Sequence, residues 1–150
     1  MSTPKFITGE IQIKAPATSV WNALVNPEET KKYMFGCETV SDWKVGSDLL
    51  WRGTHEGNEM VFVSGKIKSI EPEKHLAYTT FDPHSEMADI PENYLTVTYD
   101  ITESGGISTL KITQGDYSQT GEGEKRYNES LEGGGWNGIL EMIKNQIEQV

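Results

Sequence analysis

Four side chains that could bind a metal ion lie close together in one polar stretch. Asp82, His84, Glu86 and Asp89 alternate along the segment DPHSEMADIPEN, and carboxylates and imidazoles are common metal ligands. Such a site needs ligands that converge on one point, and it usually contains more than one histidine. The stretch separates two apolar runs, so we interpret its acidic residues as a solvated loop and expect no bound metal or cofactor.

A second group with catalytic potential is His55 with its neighbours Glu56 and Glu59. A histidine paired with a carboxylate acts as a general base when it is buried beside a substrate. The sequence of residues 56–58 predicts a hairpin turn, which would leave this imidazole exposed. His75 follows another predicted turn, and we interpret it as structural.

The sequence contains no evident nucleophilic catalyst. Its only cysteine, Cys37, has no histidine near it in sequence, and the G-x-S-x-G motif of serine hydrolases is absent. A single cysteine also cannot form an internal disulfide bond or a cysteine-rich zinc site. We interpret Cys37 as a small apolar side chain near the start of a strand.

The charge of the chain argues against several classes of partner. The 150 residues include 23 Asp and Glu against 13 Lys and Arg, which gives a formal net charge of −10. Nucleic acids and anionic membrane surfaces are bound by basic faces, whereas the longest basic runs are the pairs Lys31–Lys32 and Lys125–Arg126. No apolar stretch has the length of a signal peptide or a membrane span, so we expect a cytoplasmic protein without membrane insertion.

The order of apolar patterns predicts a single α+β domain over the whole chain, residues 1–150. Residues 6–14 alternate as a half-buried strand, and residues 16–25 place apolar side chains on one helical stripe. The sequence N-P-E-E from Asn26 predicts a second short helix, with Glu29 closing a capping box.

The middle and the end of the chain differ in pattern. Residues 37–116 predict an antiparallel meander, because short Gly- and Pro-containing turns separate successive strand-like segments. Apolar residues then recur at helical spacing from Leu131 to Ile147, but three glycines at 133–135 interrupt them. Each glycine destabilises a helix interior by about 1 kcal/mol relative to alanine, so we expect a helix broken there, with its regular part over about 135–148. The predicted strands of the meander are 37–43, 48–55, 59–71, 75–82, 93–103 and 107–116.

Four passages match a known family in content and in order. They are APATSVWNALVNPE (15–28), VGSDLLW (45–51), SGKIKSIEPEKHLAYT (64–79) and GWNGILEMIKNQIE (135–148). The first resembles the first helix of the START-like, helix-grip (SRPBCC) superfamily, and the set resembles the bacterial homologues of the activator of heat-shock-protein-90 ATPase. The resemblance implies a helix-grip fold of START or Bet v type. In that fold a curved antiparallel sheet of six to seven strands wraps around a long C-terminal helix, with two short helices after the first strand.

The resemblance also assigns one face of the sheet to the interior. It selects Leu49 and Trp51 as inward-pointing, and a period of two extends the assignment to the other strands. Met60 and Phe62 are apolar where the outer face should be polar, which leaves the register of that strand open. Gln114 stands where the family often has histidine. The further inward residues are Val61, Val63, Ile67, Leu76, Tyr78, Leu95, Val97, Tyr99, Leu110, Ile112 and Gln114.

A sheet wrapped around one helix leaves space wherever side chains are too short to fill it. We therefore expect an apolar cavity for a hydrophobic or amphipathic ligand (lipid-like, polyketide or aromatic), anchored by Tyr78, Tyr99 and Gln114. The alternative, that the aromatic residues are ordinary core, stays open. The predicted lining residues are Trp21, Tyr33, Phe35, Leu49, Trp51, Val63, Tyr78, Val97, Tyr99, Ile112, Gln114, Trp136, Leu140 and Ile143.

Two other functions compete with non-catalytic binding. A cavity enzyme of the cyclase or hydrolase type needs an ionisable residue in the pocket, for which His55 and Asp100 are the candidates. A co-chaperone of the ninety-kilodalton heat-shock chaperone is suggested only by the resemblance. The chaperone activators carry an additional N-terminal domain, and this chain begins almost directly with the first strand, so we favour this function least.

Overall fold

The chain forms an antiparallel sheet with four helices, as given by a computed structural model that describes residues 5–34, 36–83, 88–90, 93–119 and 123–148. Within these residues seven strands lie in the spatial order β1-β7-β6-β5-β4-β3-β2. The predicted α+β helix-grip class and the meander are confirmed, since each strand from β2 to β6 pairs with the strand that follows it and β1 pairs with β7. The strands are β1 (Ile7–Ile13), β2 (Glu38–Ser41), β3 (Asp48–His55), β4 (Asn58–Glu71), β5 (His75–Thr80), β6 (Leu95–Ser104) and β7 (Ile107–Gly115).

The helices are α1 (Ala17–Val25), α2 (Pro27–Tyr33), α3 (Gly123–Glu132) and α4 (Asn137–Glu148), with a short 3-10 turn at Tyr117–Gln119. No helix among the described residues is both long enough and apolar enough to cross a membrane.

The start of α1 is capped by a distant strand. Pro16 has an extended backbone and makes no side-chain capping hydrogen bond, so the helix begins at Ala17, one residue after the predicted stripe over residues 16–25 begins. The carboxylate of Glu103 in β6 takes the capping role, because the backbone N–H of Ala17 donates to its Oε1 at 2.6 Å. This hydrogen bond joins α1 to the sheet.

The cap of α2 is simpler than predicted. The side chain of Asn26 accepts a hydrogen bond from the backbone N–H of Glu28 at 3.0 Å. The predicted capping box is wrong, because the Glu29 carboxylate accepts instead from Lys32 at 3.1 Å and from Gln146 at 2.7 Å. Glu29 thereby links α2 to α4.

The predicted break in the C-terminal helix is confirmed. Helix α3 ends in a Schellman motif, in which Gly135 N–H donates to Ser130 C=O at 2.8 Å and Gly134 N–H donates to Leu131 C=O at 3.0 Å. Gly134 has φ of +86°, a left-handed conformation that glycine adopts without steric cost. The helix that closes the fold is therefore α4 alone, with 12 residues.

A β-bulge settles the register of β4. Trp51 pairs with Val63 and Arg52 pairs with Val61, so Phe62 is the extra residue. Val63 consequently shares a face with Trp51, while Val61 shares the opposite face with Arg52. The inward assignment of Val61 is wrong because the period of two does not continue through a bulge.

The core lies between the inner face of the sheet and helices α1 and α4. Leu140 and Ile143 of α4 are each 1% exposed, and so is Leu24 of α1. Two hydrogen bonds hold α4 along β1: Lys144 Nζ donates to the backbone oxygen of Gln12 at 2.8 Å, and Lys14 N–H donates to Glu148 Oε2 at 2.9 Å. The predicted inward residues that are buried on the sheet are Leu49, Trp51, Ile67, Leu76, Tyr78, Leu95, Val97, Tyr99, Leu110 and Ile112.

The close approach of β4 to β5 at Gly65 generates a prediction about stability. A Cβ atom on Gly65 would lie 1.7 Å from the backbone oxygen of Thr79, which cannot move without distorting β5. We expect Gly65→Ala to lower the free energy of unfolding by at least about 2 kcal/mol. Gly138→Ala in helix α4 is the control, because a Cβ atom on Gly138 would meet no described atom within 4 Å. This substitution should raise the free energy of unfolding by about 0.5–1 kcal/mol. Urea unfolding followed by circular dichroism measures both, and equal stability of the two variants would contradict the predicted contact.

Candidate functional site

A cavity of about 390 Å³ lies between the inner face of the sheet and the start of α4. The strands β3 to β7 form one wall, the residues after α2 form a second, and the beginning of α4 forms a third. Apolar side chains dominate the lining, and the volume lies in the range of small-molecule sites. The lining residues are Met34, Cys37, Trp51, Phe62, Val63, Tyr78, Thr80, Val97, Gln114, Trp136 and Ile139.

The bulge in β4 shapes the wall of the cavity beside β3. Phe62 and Val63 both border the space although they are consecutive residues. In a regular strand such neighbours point to opposite faces, and the extra residue of the bulge removes this alternation. The wall therefore gains a phenyl ring that a period of two assigns to the outer face.

Two tyrosines form a buried hydrogen-bonded pair at one side of the cavity. The hydroxyls of Tyr78 and Tyr99 lie 2.7 Å apart, and their rings meet edge to face with centroids 5.5 Å apart. Burial raises the pKa of both phenols, in Tyr78 well above its usual value. The pair therefore stays neutral, and Tyr78 offers the cavity a hydroxyl that exchanges hydrogen bonds without carrying charge.

Gln114 is fixed in orientation by Trp136. The indole Nε1–H donates to Gln114 Oε1 at 3.0 Å, and the Trp136 ring meets Tyr99 edge to face at 6.4 Å. Because an indole N–H can only donate, the amide oxygen of Gln114 must face it, which leaves the amide NH₂ as a donor for other groups.

Two smaller cavities meet the apolar one at Gln114. One has a volume of about 340 Å³ and a polar lining, and the other has about 260 Å³ and adjoins the turn between α3 and α4. Gln114 borders all three spaces. The polar cavity is lined by Leu95, Gln114, Tyr117, Arg126, Glu129 and Ser130, and the connecting one by Ile7, Gln114, Ser130, Gly133, Gly135, Trp136 and Ile139.

The predicted lining residues fall into three groups. Trp51, Val63, Tyr78, Val97, Gln114 and Trp136 border the apolar cavity, and Tyr99 lies behind Tyr78 as its hydrogen-bond partner. Leu49, Ile112, Leu140 and Ile143 are not part of its lining, and they are packed in the core with at most 1% exposure.

The remaining three predicted residues lie on or near the first two helices. Tyr33 donates its hydroxyl to the backbone oxygen of Ala23 at 2.8 Å and so holds α2 against α1. Trp21 is partly buried on α1, where it packs against the core. Phe35 lies outside the described residues.

Five residues of the lining were not in the predicted set: Met34, Cys37, Phe62, Thr80 and Ile139. Thr80 and Ile139 carried usable signals, since Thr80 follows Tyr78 by two strand positions and Ile139 lies on the apolar stripe of α4. Met34 and Cys37 belong to the irregular segment between α2 and β2, where no periodicity applies. Burial raises the pKa of the Cys37 thiol, which keeps it protonated.

The histidine candidates lie away from these cavities. His55 is at a hairpin tip with 63% of its side chain exposed and pairs loosely with Glu56. His75 links three strands, because its Nδ1 lies 2.8 Å from Asp100 Oδ1 and its Nε2 lies 2.7 Å from Ser69 Oγ. This is the connectivity of a Ser-His-Asp triad, but acyl transfer also needs a substrate cleft and oxyanion donors. Asp100 is 50% exposed and none of the three residues borders a cavity described above, so we assign them a role in joining strands.

Two of the four residues considered as metal ligands, Asp82 and Asp89, are described. His84 and Glu86 lie outside the described residues, while Asp89 accepts a hydrogen bond from the Tyr94 hydroxyl at 2.6 Å. Within the part of the chain that the structure describes, no three His, Cys, Asp or Glu side chains are placed to share a metal ion.

The outer face of the sheet carries a wider groove of about 770 Å³. Two of its charged side chains form an ion pair, in which Lys66 Nζ lies 3.2 Å from Asp48 Oδ1. We favour the inner cavity as the functional site because its lining is apolar and its few polar groups are held in fixed orientations.

The fold and the sequence both have known relatives. Residues 14–148 match the family model described as Activator of Hsp90 ATPase homolog 1-like protein. The solution structure of ChR145 from Cytophaga hutchinsonii is 35% identical, covers 99% of this chain and 97% of that one, and has a TM-score of 0.78. No curated protein matches the chain in sequence.

Two more distant structures share the fold alone. The solution structure of the Aha1 dimer from Colwellia psychrerythraea is 17% identical over 96% of each chain, with a TM-score of 0.67. The crystal structure of CalU16 from Micromonospora echinospora is 20% identical over 97% of this chain and 77% of that one, with a TM-score of 0.66.

The burial of Tyr33, Tyr78 and Tyr99 generates a prediction about alkaline pH. Burial raises the pKa of all three above the usual value of 10.0. Above that pH the unfolded chain loses these protons while the folded chain keeps them, so stability must fall as the pH rises. Tyrosinate absorbance at 295 nm should therefore show a step that coincides with the loss of circular dichroism, and Tyr78→Phe should reduce its amplitude. Ionisation of all six tyrosines before any unfolding would contradict the buried placement.

Proposed function

The chain belongs to the Activator of Hsp90 ATPase homolog 1-like protein family, and we propose that it binds a small hydrophobic or amphipathic molecule. The binding site is the apolar cavity between the sheet and the start of α4. The ligand belongs to the lipid-like, polyketide or aromatic type, and it is bound without being chemically changed.

The observation that carries this proposal is the chemistry of the cavity lining. An apolar space of about 390 Å³ is far larger than the voids of ordinary cores, and its lining atoms lack dispersion partners. Water is not stabilised in this cavity, because a buried water molecule needs two to four polar partners. An apolar molecule restores the missing contacts, while Tyr78, Thr80 and Gln114 offer it a few hydrogen bonds.

The same lining favours binding over catalysis. None of the described residues that border the apolar cavity is Asp, Glu, His, Lys or Arg. Its ionisable groups are the Cys37 thiol and the Tyr78 phenol, and burial raises the pKa of both. A general base must be deprotonated near neutral pH, so neither group suits a cyclase or hydrolase mechanism. The sequence candidates for such chemistry, His55 and Asp100, are exposed.

A role as a chaperone partner is the weaker candidate. It rests on the family description alone, and none of the surface features described above favours it. Recovery of the ninety-kilodalton chaperone in stoichiometric amount with this chain would establish that role.

A pair of substitutions on neighbouring residues of β6 tests the proposed site. Val97 borders the cavity, whereas Thr98 points to the opposite face, where it pairs with Ala77 and Thr113. Val97→Phe should fill the cavity and weaken the binding of the neutral apolar dye N-phenyl-1-naphthylamine at least about tenfold, which corresponds to about 1.4 kcal/mol. Thr98→Phe adds the same ring outside the cavity and should change the affinity less than about twofold.

Dye fluorescence and the intrinsic fluorescence of Trp51 and Trp136, which both border the cavity, report binding independently. Circular dichroism verifies that each variant is folded. If the Val97→Phe variant does not fold, Ile139→Phe replaces it, because this substitution fills the cavity from the side of α4. Equal affinity of the Val97→Phe and Thr98→Phe variants, or no binding by the unchanged protein, would refute the proposed site.

A further inference from the structure

We infer that the ligand carries a carboxylate head group, which binds Arg126 in the polar cavity beside Gln114. This inference rests on the proposed function, because it places the apolar part of the same molecule in the cavity under α4. The ligand is thus an anion, and Arg126 is the residue that selects its head group.

The side chain of Arg126 contains an unsatisfied donor. Its Nη1 atom is buried and has no hydrogen-bond partner among the described residues. A guanidinium group is charged at every physiological pH, so burial does not remove this need by deprotonation. Buried polar atoms without partners are rare in folded proteins, and a missing bound group is one of their common explanations.

The chain itself provides no described counterion for Arg126. Glu129 is three residues away on α3 and borders the same cavity, yet the two side chains form no ion pair. Glu129 is exposed, so solvent and salt screen its charge. No hydrogen bond or ion pair joins the guanidinium to a described residue, so its donors on the cavity lining are available to an acceptor from outside the chain.

The polar cavity is equipped to hold such an acceptor. It has a volume of about 340 Å³, and the side chains of Gln114, Arg126 and Ser130 carry donor groups on its lining. The Gln114 amide presents its NH₂ because its oxygen accepts from Trp136. A carboxylate is planar and accepts two parallel hydrogen bonds from one guanidinium, which is the strongest pairing open to arginine.

The two cavities are placed to bind one molecule. The connecting space of about 260 Å³ shares Ser130 with the polar cavity, Trp136 and Ile139 with the apolar cavity, and Gln114 with both. An amphipathic molecule can thus extend from the apolar lining past Gln114 to Arg126. Because the chain has a net charge of −10, long-range attraction does not draw an anion to it, and selection of a carboxylate depends on this local pairing.

Decanoate and decanol test the inference, since they share an apolar chain and differ in the charge of the head group. At neutral pH the unchanged protein should bind decanoate at least about tenfold more tightly than decanol, measured by displacement of N-phenyl-1-naphthylamine. Arg126→Gln should weaken decanoate binding at least about tenfold and leave decanol binding within about twofold. Arg126→Lys, which keeps the charge but loses the planar fork, should give an intermediate affinity for decanoate.

Lys125→Gln is the matched control. Lys125 is the exposed neighbour of Arg126, it does not border the polar cavity, and its substitution changes the net charge by the same amount. Decanoate affinity should stay within about twofold of the unchanged protein, because exposed charges are screened.

The outcomes separate the inference from the proposed function. Equal binding of decanoate and decanol, or an Arg126→Gln variant that binds decanoate as the unchanged protein does, overturns the carboxylate inference and leaves the apolar site standing. A fall in decanoate affinity of the same size in Lys125→Gln also overturns it, since general charge would then be the cause. If neither decanoate, decanol nor the dye binds to the unchanged protein, the inference and the proposed function fail together.

Discussion

The structure depends on how the apolar inner face of the sheet is covered. Helix α4 packs along β1, held there by the hydrogen bonds of Lys144 and Lys14, and it buries Leu140 and Ile143 against the core. The Schellman motif at Gly134 ends α3 early, so α4 begins only at Asn137 and has 12 residues. Helices α1 and α4 together cover part of the seven-stranded sheet, and the uncovered part, between Trp136 and the bulge at Phe62, is where the apolar cavity lies.

The polar groups around this space satisfy one another before any ligand arrives. Tyr78 bonds Tyr99, and Trp136 bonds Gln114, so the apolar cavity has fixed hydrogen-bonding groups and no charge. Such preorganised groups bind a ligand without first losing conformational freedom. Arg126 differs from them, because one of its buried donors has no described partner. The contrast between satisfied neutral groups and one unsatisfied cation is the physical reason to expect an amphipathic ligand with a negative head group.

The fold could be predicted from the sequence because its signals are local and periodic. The strands, the two short helices and the break at residues 133–135 all follow from apolar spacing and from glycine and proline positions. What could not be predicted depends on contacts between distant residues. The bulge that places Phe62 beside the cavity is a property of the pairing of β3 with β4, and Glu29 bonds Gln146 rather than its own helix. The position of Arg126 could not be predicted for the same reason, since α3 meets the 3-10 turn and β1 only in the folded chain, and this packing brings Arg126 and Gln114 to the same cavity.

The central claim is that the space under α4 is a ligand site. The most direct test is native mass spectrometry of the protein after gentle purification from its own host, together with identification of any organic molecule that can be extracted from it. If the space under α4 is a ligand site, the spectrum should contain a population shifted by the mass of one hydrophobic or amphipathic molecule, and the extract should contain that molecule at close to one per chain. A spectrum with only the mass of the polypeptide, and an extract without any molecule near that ratio, would contradict the claim and would identify the space as a packing defect of the core.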